Sequence, residues 1–135
     1  VLNHFSGPLG VGPYATKKNE VYINWKKDLK ELARYKNVFA KLGGLAMPIN
    51  GFNFEKNPSP PTSDEFMSLQ RHYYLTAIDF FGAERCMFES NFPVDKYSVS
   101  YHVLWNAFKN LVKDFSKVEK DHLFYKTAGK VYSIP

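Results

Sequence analysis

Four polar side chains follow or interrupt short apolar runs, and their types suit binding and proton transfer. His4 follows Val1-Leu2, Lys41 interrupts Val38–Leu42, and Asn91 and Asp95 follow Cys86-Met87-Phe88. A neutral imidazole is both a metal ligand and a general acid or base near pH 7. An amide such as Asn91 can hydrogen-bond a substrate carbonyl or orient a water. Asp95 can act as a base, and Lys41 can meet an anionic substrate. Each has a plainer reading. Isolated histidines usually hold turns, and Asn91 can cap a turn after a strand. Asp95 can pair with Lys96 or another surface lysine, and Lys41 can snorkel to solvent.

These residues are notable for where they stand. Cys86-Met87-Phe88 lies between Phe81-Gly82-Ala83-Glu84 and Pro93. An apolar run bounded by turn signals fits a strand buried on both faces, as in a parallel sheet. In parallel α/β folds, ligands and chemistry sit at the carboxyl ends of the strands. Ser90–Asp95 therefore reads as the rim of an active site. His4 ends a first strand. Val38–Leu42 is another, closed by Gly43-Gly44. Lys41 is out of place in a strand buried on both faces unless its ammonium reaches water or an anion.

Helices separate the strands. Asn19 is a candidate N-cap, and Val21, Trp25, Leu29, Leu32 and Ala33 recur at helical spacing, with Asn37 as a left-handed C-cap. After the loop Leu45–Pro61, Thr62 and Glu65 form a capping box. That helix presents Phe66, Leu69, Tyr73, Ala77 and Phe80 and stops at Gly82. Tyr101, Leu104, Trp105, Phe108, Leu111, Val112 and Phe115 form a broad apolar stripe. Ser116 and Glu119 open a last helix, and Val131, Tyr132 and Ile134 are expected to dock the end of the chain. The order strand, helix, strand, helix, strand, helix, helix implies parallel strands. Long polar loops follow strands and short loops follow helices, the asymmetry of a (β/α) barrel.

Bulk properties narrow the partners. The 135 residues are 44% hydrophobic and 17% aromatic, with a net charge of +5. Only Lys17-Lys18 and Lys26-Lys27 are lysine doublets, so the charge reads as a solvated surface and not as a nucleic-acid stripe. The single cysteine, Cys86, allows no internal disulfide. No apolar run approaches the ~20 residues of a membrane span. A cytoplasmic protein with a small-molecule substrate, no nucleic acid and no membrane, open to homo-oligomerisation, is the expectation.

The order of Asn3-His4, Gly7-Pro8, Gly12-Pro13-Tyr14, Trp25, Asn37-Val38 and Lys41-Leu42-Gly43-Gly44 resembles the amidohydrolase-related family of TIM-barrel, metal-dependent hydrolases. Phe81-Gly82, Arg85-Cys86-Met87-Phe88 and Ser90-Asn91-Phe92-Pro93 continue the likeness, which looks strongest to the lactonase-like branch. The resemblance implies one partial domain, residues 1–135. It would be the C-terminal part of a (β/α)8 barrel, with three parallel strands and flanking helices. It implies hydrolysis of a small cyclic ester or a related carboxylic ester or amide by a longer parent chain. His4 and Asn91 would be catalytic, Lys41 and Asp95 substrate-binding, and His4 a ligand of one divalent ion, zinc or manganese. Asn91 stands where many members carry a metal-binding or basic aspartate, and Glu89 where many carry glycine. An amide is a poor base and a weak ligand, so catalysis by side chains alone stays open. The competing class is an inert fragment or interaction module. A full barrel needs ~250 residues, so the isolated chain is expected to be marginally stable or self-associating.

Overall fold

The computed structural model describes residues 1–134. Two strands, β1 (Ala40–Leu42) and β2 (Cys86–Phe88), pair in parallel with Ala40 opposite Cys86, Lys41 opposite Met87 and Leu42 opposite Phe88. The ladder extends one step to Glu89, whose N–H donates to the Leu42 carbonyl. The expected third strand is reduced to one parallel bridge between Leu2 and Ala40. The Leu2 N–H donates to Phe39 and the Leu2 carbonyl accepts from Lys41. Pairing stops there because the backbone turns left-handed from His4 through Gly7, with φ between 50° and 62°. The architecture is thus two parallel strands plus a bridge, where three strands were expected.

Helix α1 (Lys18–Leu32) follows the bridge, α2 (Ser63–Phe81) follows β1, and α3 (Tyr101–Leu111) follows β2. The chain closes with α4 (Lys117–Asp121), a π-helical turn (His122–Lys126) and α5 (Thr127–Tyr132). Both expected capping boxes form. Thr62 accepts from the Glu65 N–H and Ser116 from the Glu119 N–H, and each glutamate reaches back to its cap residue. Gly82, at φ 79°, ends α2. Asn19 is not a cap: α1 starts at Lys18, fed by the short turn Gly12–Tyr14. It also ends at Leu32, well before Asn37. The Arg34 and Tyr35 N–H groups bond carbonyls three residues back, which tightens the chain into turns. The end of the chain docks only in part: Val131 is half-buried and Lys41 Nζ lies 5.9 Å from the Tyr132 ring centre, but Tyr132 and Ile134 are exposed.

The core lies between the strands and α2, with α3 against it. All three β2 side chains are buried. Phe88 stacks on Phe108 of α3 at 4.5 Å, and Phe5 meets Tyr74 of α2 edge-on at 4.8 Å. Such aromatic pairs add roughly 0.5–1.5 kcal/mol beyond the area they bury. Thr127, fully buried, donates to the Ala83 and Glu84 carbonyls and ties the last helix to the start of β2. Cys86 is buried, and burial pushes its thiol up to about 12, so it is a core group and no nucleophile.

Candidate functional site

The loops that follow Leu2, β1 and β2 leave the sheet at the same end, as parallel strands require. The first of them is the most constrained. His4, Phe5 and Ser6 all have positive φ, a conformation that costs L-residues roughly 1–2 kcal/mol each. Packing holds it in place. The Phe5 ring is buried against Tyr74, and the Trp25 indole N–H donates to the Phe5 carbonyl at 2.7 Å. The turn directs His4 toward the residues that follow the other two strands.

There His4 meets a residue that the sequence marks only as a departure from the family pattern. Glu89, the first residue after β2, places Oε1 2.6 Å from His4 Nδ1 and Oε2 2.9 Å from Lys41 Nζ. Lys41 is therefore neither buried alone nor simply snorkelling. The hydrogen bond to Glu89 raises its pKa above the ordinary lysine value, against the opposing effect of partial burial. The sequence carried a signal for this pair: a lysine without an evident partner in one buried strand, and a carboxylate just past the end of its neighbour.

Gly43 and Gly44 make the close approach possible. A Cβ on Gly43 would lie 2.2 Å from the Glu89 carbonyl oxygen and 2.5 Å from its Cγ. A Cβ on Gly44, at φ +81°, would lie 2.7 Å from His4 Nδ1. Neither position admits a side chain without moving the residue it faces.

Asn91 and Asp95 form the second half of the cluster. Asn91, also left-handed at φ 51°, donates from Nδ2 to Asp95 Oδ1 at 2.8 Å. The surface ion pair expected for Asp95 does not exist, because its carboxylate is buried and turned toward Asn91. Its other oxygen, Oδ2, has no hydrogen-bond partner. Burial pushes the Asp95 carboxyl up to about 6; the Asn91 hydrogen bond, the nearby His4 and the Gly44 backbone N–H act in the opposite direction. That His4 and Gly44 both influence Asp95 ties the two halves into one neighbourhood. His72, His102 and His122 lie on helices, as expected. His72 meets Tyr22 edge-on and Tyr73 at a tilt, with ring centres 4.6 Å apart in each case.

The amidohydrolase family model matches residues 1–134. This chain belongs to the amidohydrolase family. It is 40% identical over 113 residues to the uncharacterized protein y4mH of Sinorhizobium fredii, a match covering 84% of this chain and 34% of that protein. The fold is similar to two solved structures of an amidohydrolase from Burkholderia multivorans, with TM-scores of 0.82 and 0.81 at 24% identity. They match 99% of this chain but only 44% and 43% of their own length. One holds bound HEPES and the other bound zinc. This amidohydrolase chain thus spans about a third of the curated relative.

Among the described residues, no group of three His, Cys, Asp or Glu side chains is arranged to hold a metal ion. Catalytic zinc takes three protein ligands. The described residues of this chain therefore do not make a complete site by themselves. No helix among the described residues is long and apolar enough to cross a membrane.

Proposed function

We propose that this chain is the C-terminal part of a (β/α)8 barrel hydrolase that opens a small lactone or cleaves a related carboxylic ester or amide. One observation carries the proposal. The residues after Leu2, β1 and β2 converge in a single cluster in which Glu89 bridges His4 and Lys41 and Asn91 holds Asp95. Polar groups gathered at the carboxyl ends of parallel strands are where barrel enzymes work. Family membership supports the same reading.

The reaction needs an activated water and a polarised carbonyl. His4 is the group able to take or give a proton near neutral pH. Its ring is partly open to solvent while Glu89 is mostly covered, so the imidazole faces outward from a buried support. Asn91, held by the buried Asp95 carboxylate, is the amide that would orient substrate or water, and Asp95 would act in binding through it. Lys41 places positive charge at the mouth, largely compensated by Glu89, which suits a neutral ester better than a polyanion.

One divalent ion, zinc or manganese, suits this chemistry; when bound it acidifies a water and polarises a carbonyl. His4 would hold it from this chain, with the other ligands supplied by the remainder of the barrel. The zinc in the Burkholderia multivorans structure supports that choice of cofactor. A cytoplasmic, small-molecule enzyme, open to homo-oligomerisation and without a nucleic-acid or membrane partner, is the setting this reading assumes.

The test is hydrolysis of a lactone and ester panel by the full-length protein, with and without chelator. Expected is turnover of at least one lactone that falls with chelation and returns with zinc or manganese. Absence of turnover on every ester and amide offered, in protein that is folded and metal-loaded, would overturn the reading.

A further inference from the structure

We propose that Glu89 is a positioning residue that fixes which nitrogen of His4 carries the proton, holding Nδ1–H inward and leaving the Nε2 lone pair for the site. The proposal deepens the hydrolytic reading and rests on it for its kinetic consequence, though not for its structural one.

The two contacts of Glu89 decide the matter together. Lys41 Nζ, which can only donate, sits 2.9 Å from Oε2. Glu89 is thereby an acceptor on that oxygen. His4 Nδ1 lies 2.6 Å from the other oxygen, Oε1. As the anion of an ion pair with Lys41, Glu89 has no hydrogen on Oε1 either, so the hydrogen of this short contact belongs to the imidazole and Nδ1 donates. A neutral imidazole with its hydrogen on Nδ1 has its free lone pair on Nε2. Nε2 has no hydrogen-bond partner among the described residues.

The surroundings leave Glu89 little freedom. Its side chain is 12% exposed. Its backbone N–H is fixed to the Leu42 carbonyl, and the absence of a side chain at Gly43 gives room for its carbonyl and Cγ. His4 is equally constrained, between Gly44 and the left-handed turn. A carboxylate behind a histidine orients the ring and selects its tautomer whether the exposed nitrogen meets a metal, a water or a substrate proton. Lys41 is then a support for that carboxylate before it is a ligand for substrate.

The experiment uses the full-length protein labelled with ¹⁵N-histidine, chelated, at a pH where His4 is neutral, with His4→Gln to assign the resonance. Expected is a His4 signal of the Nδ1–H form in the wild type and its loss in Glu89→Ala. A wild-type signal of the Nε2–H form overturns the proposal, and so does an unchanged tautomer in Glu89→Ala. Lys41→Met serves as the second variant, because it leaves the Glu89–His4 contact in place; the Nδ1–H signal should persist. The kinetic arm expects kcat of Glu89→Ala to fall by about 10–100-fold with KM changed by less than about threefold. An unchanged kcat overturns the positioning role. If the wild type turns over no ester, the hydrolytic reading fails, while the tautomer measurement still decides the fate of Glu89.

Discussion

Arg85 and Glu89 flank the same short strand, and both are largely covered, yet their partners differ in kind. Arg85, before β2, donates only to backbone carbonyls: Nε to Phe81, Nη1 to Tyr35 and Val38, and Nη2 to Ala33. Among the described residues no carboxylate pairs with it, and its guanidinium lies over the Phe81 ring. The Glu89 carboxylate, after β2, bonds only side chains, one of which keeps a free nitrogen. Carbonyls at the end of α1, before β1 and at the end of α2 are fixed points, so Arg85 staples three segments together. Side-chain partners can exchange protons or bind a third group. On the proposed reading the amino end of the sheet serves permanence and the carboxyl end chemistry, and removing one residue from each end separates the two roles.

The largest effect belongs to the amino end. Arg85→Met should cost about 3–5 kcal/mol, because several carbonyls lose a charged donor that no water readily replaces. Urea titration of the full-length protein measures it, and kcat/KM per folded molecule should stay within about twofold of wild type. His4→Ala is the mirror image. It should lower kcat/KM by about 10²–10⁴-fold while stability moves by about 1 kcal/mol or less. A variant at either end that moved both quantities in proportion would dissolve the contrast.

The sequence made the elements legible where the signal is local. The two capping boxes, the stop at Gly82 and the buried run Cys86–Phe88 each rest on neighbouring residues, and all are present. What failed depends on partners distant in the chain. The first strand shrank to one bridge because the left-handed run from His4 ends its pairing. Asp95 looks like a surface acid in the string Val-Asp-Lys, but the turn after Asn91 carries it inward. Glu89 was noted only as a departure from the family. Its role depends on His4, 85 positions away, and no local pattern reports such a meeting. The apolar tail is covered only in part: Val131 is half-buried and the Tyr132 ring lies by the Lys41 ammonium, while Tyr132 and Ile134 stay largely exposed.

A smaller effect tests the fit between the halves of the carboxyl end. Gly44→Ala places a methyl group 2.7 Å from His4 Nδ1 in a backbone conformation that disfavours side chains. The expected loss is about 2 kcal/mol, with activity reduced as His4 is displaced. The change in thermal midpoint, set beside the His4 ¹⁵N signal, distinguishes simple strain from displacement. A destabilised variant with an unmoved His4 signal would mean that the glycine serves the backbone alone.

The smallest effect is opposite in sign. Burial lifts the Asp95 carboxyl from its ordinary value of 3.8 to about 6. The folded state therefore favours the protonated acid. Its contribution is fully present below pH 3.8 and is lost as pH rises through about 6, so that at pH 7.5 the ionised group weakens the fold by about 2–3 kcal/mol. Asp95→Asn keeps an oxygen for the Asn91 amide but carries no charge to desolvate. It should stabilise the full-length protein by about 1–2 kcal/mol at pH 7.5, with the gain vanishing toward pH 4. Arg85 offers no such gain at any pH, since its donors are already matched to carbonyls. Paired urea titrations at the two pH values measure the difference. A gain that comes with reduced lactone turnover would mark Asp95 as a strained functional group held at a cost to the fold. If Asp95→Asn were destabilising at pH 7.5, the carboxylate would have to be solvated or paired in the complete barrel, and the carboxyl end would be less costly to the fold than its burial implies.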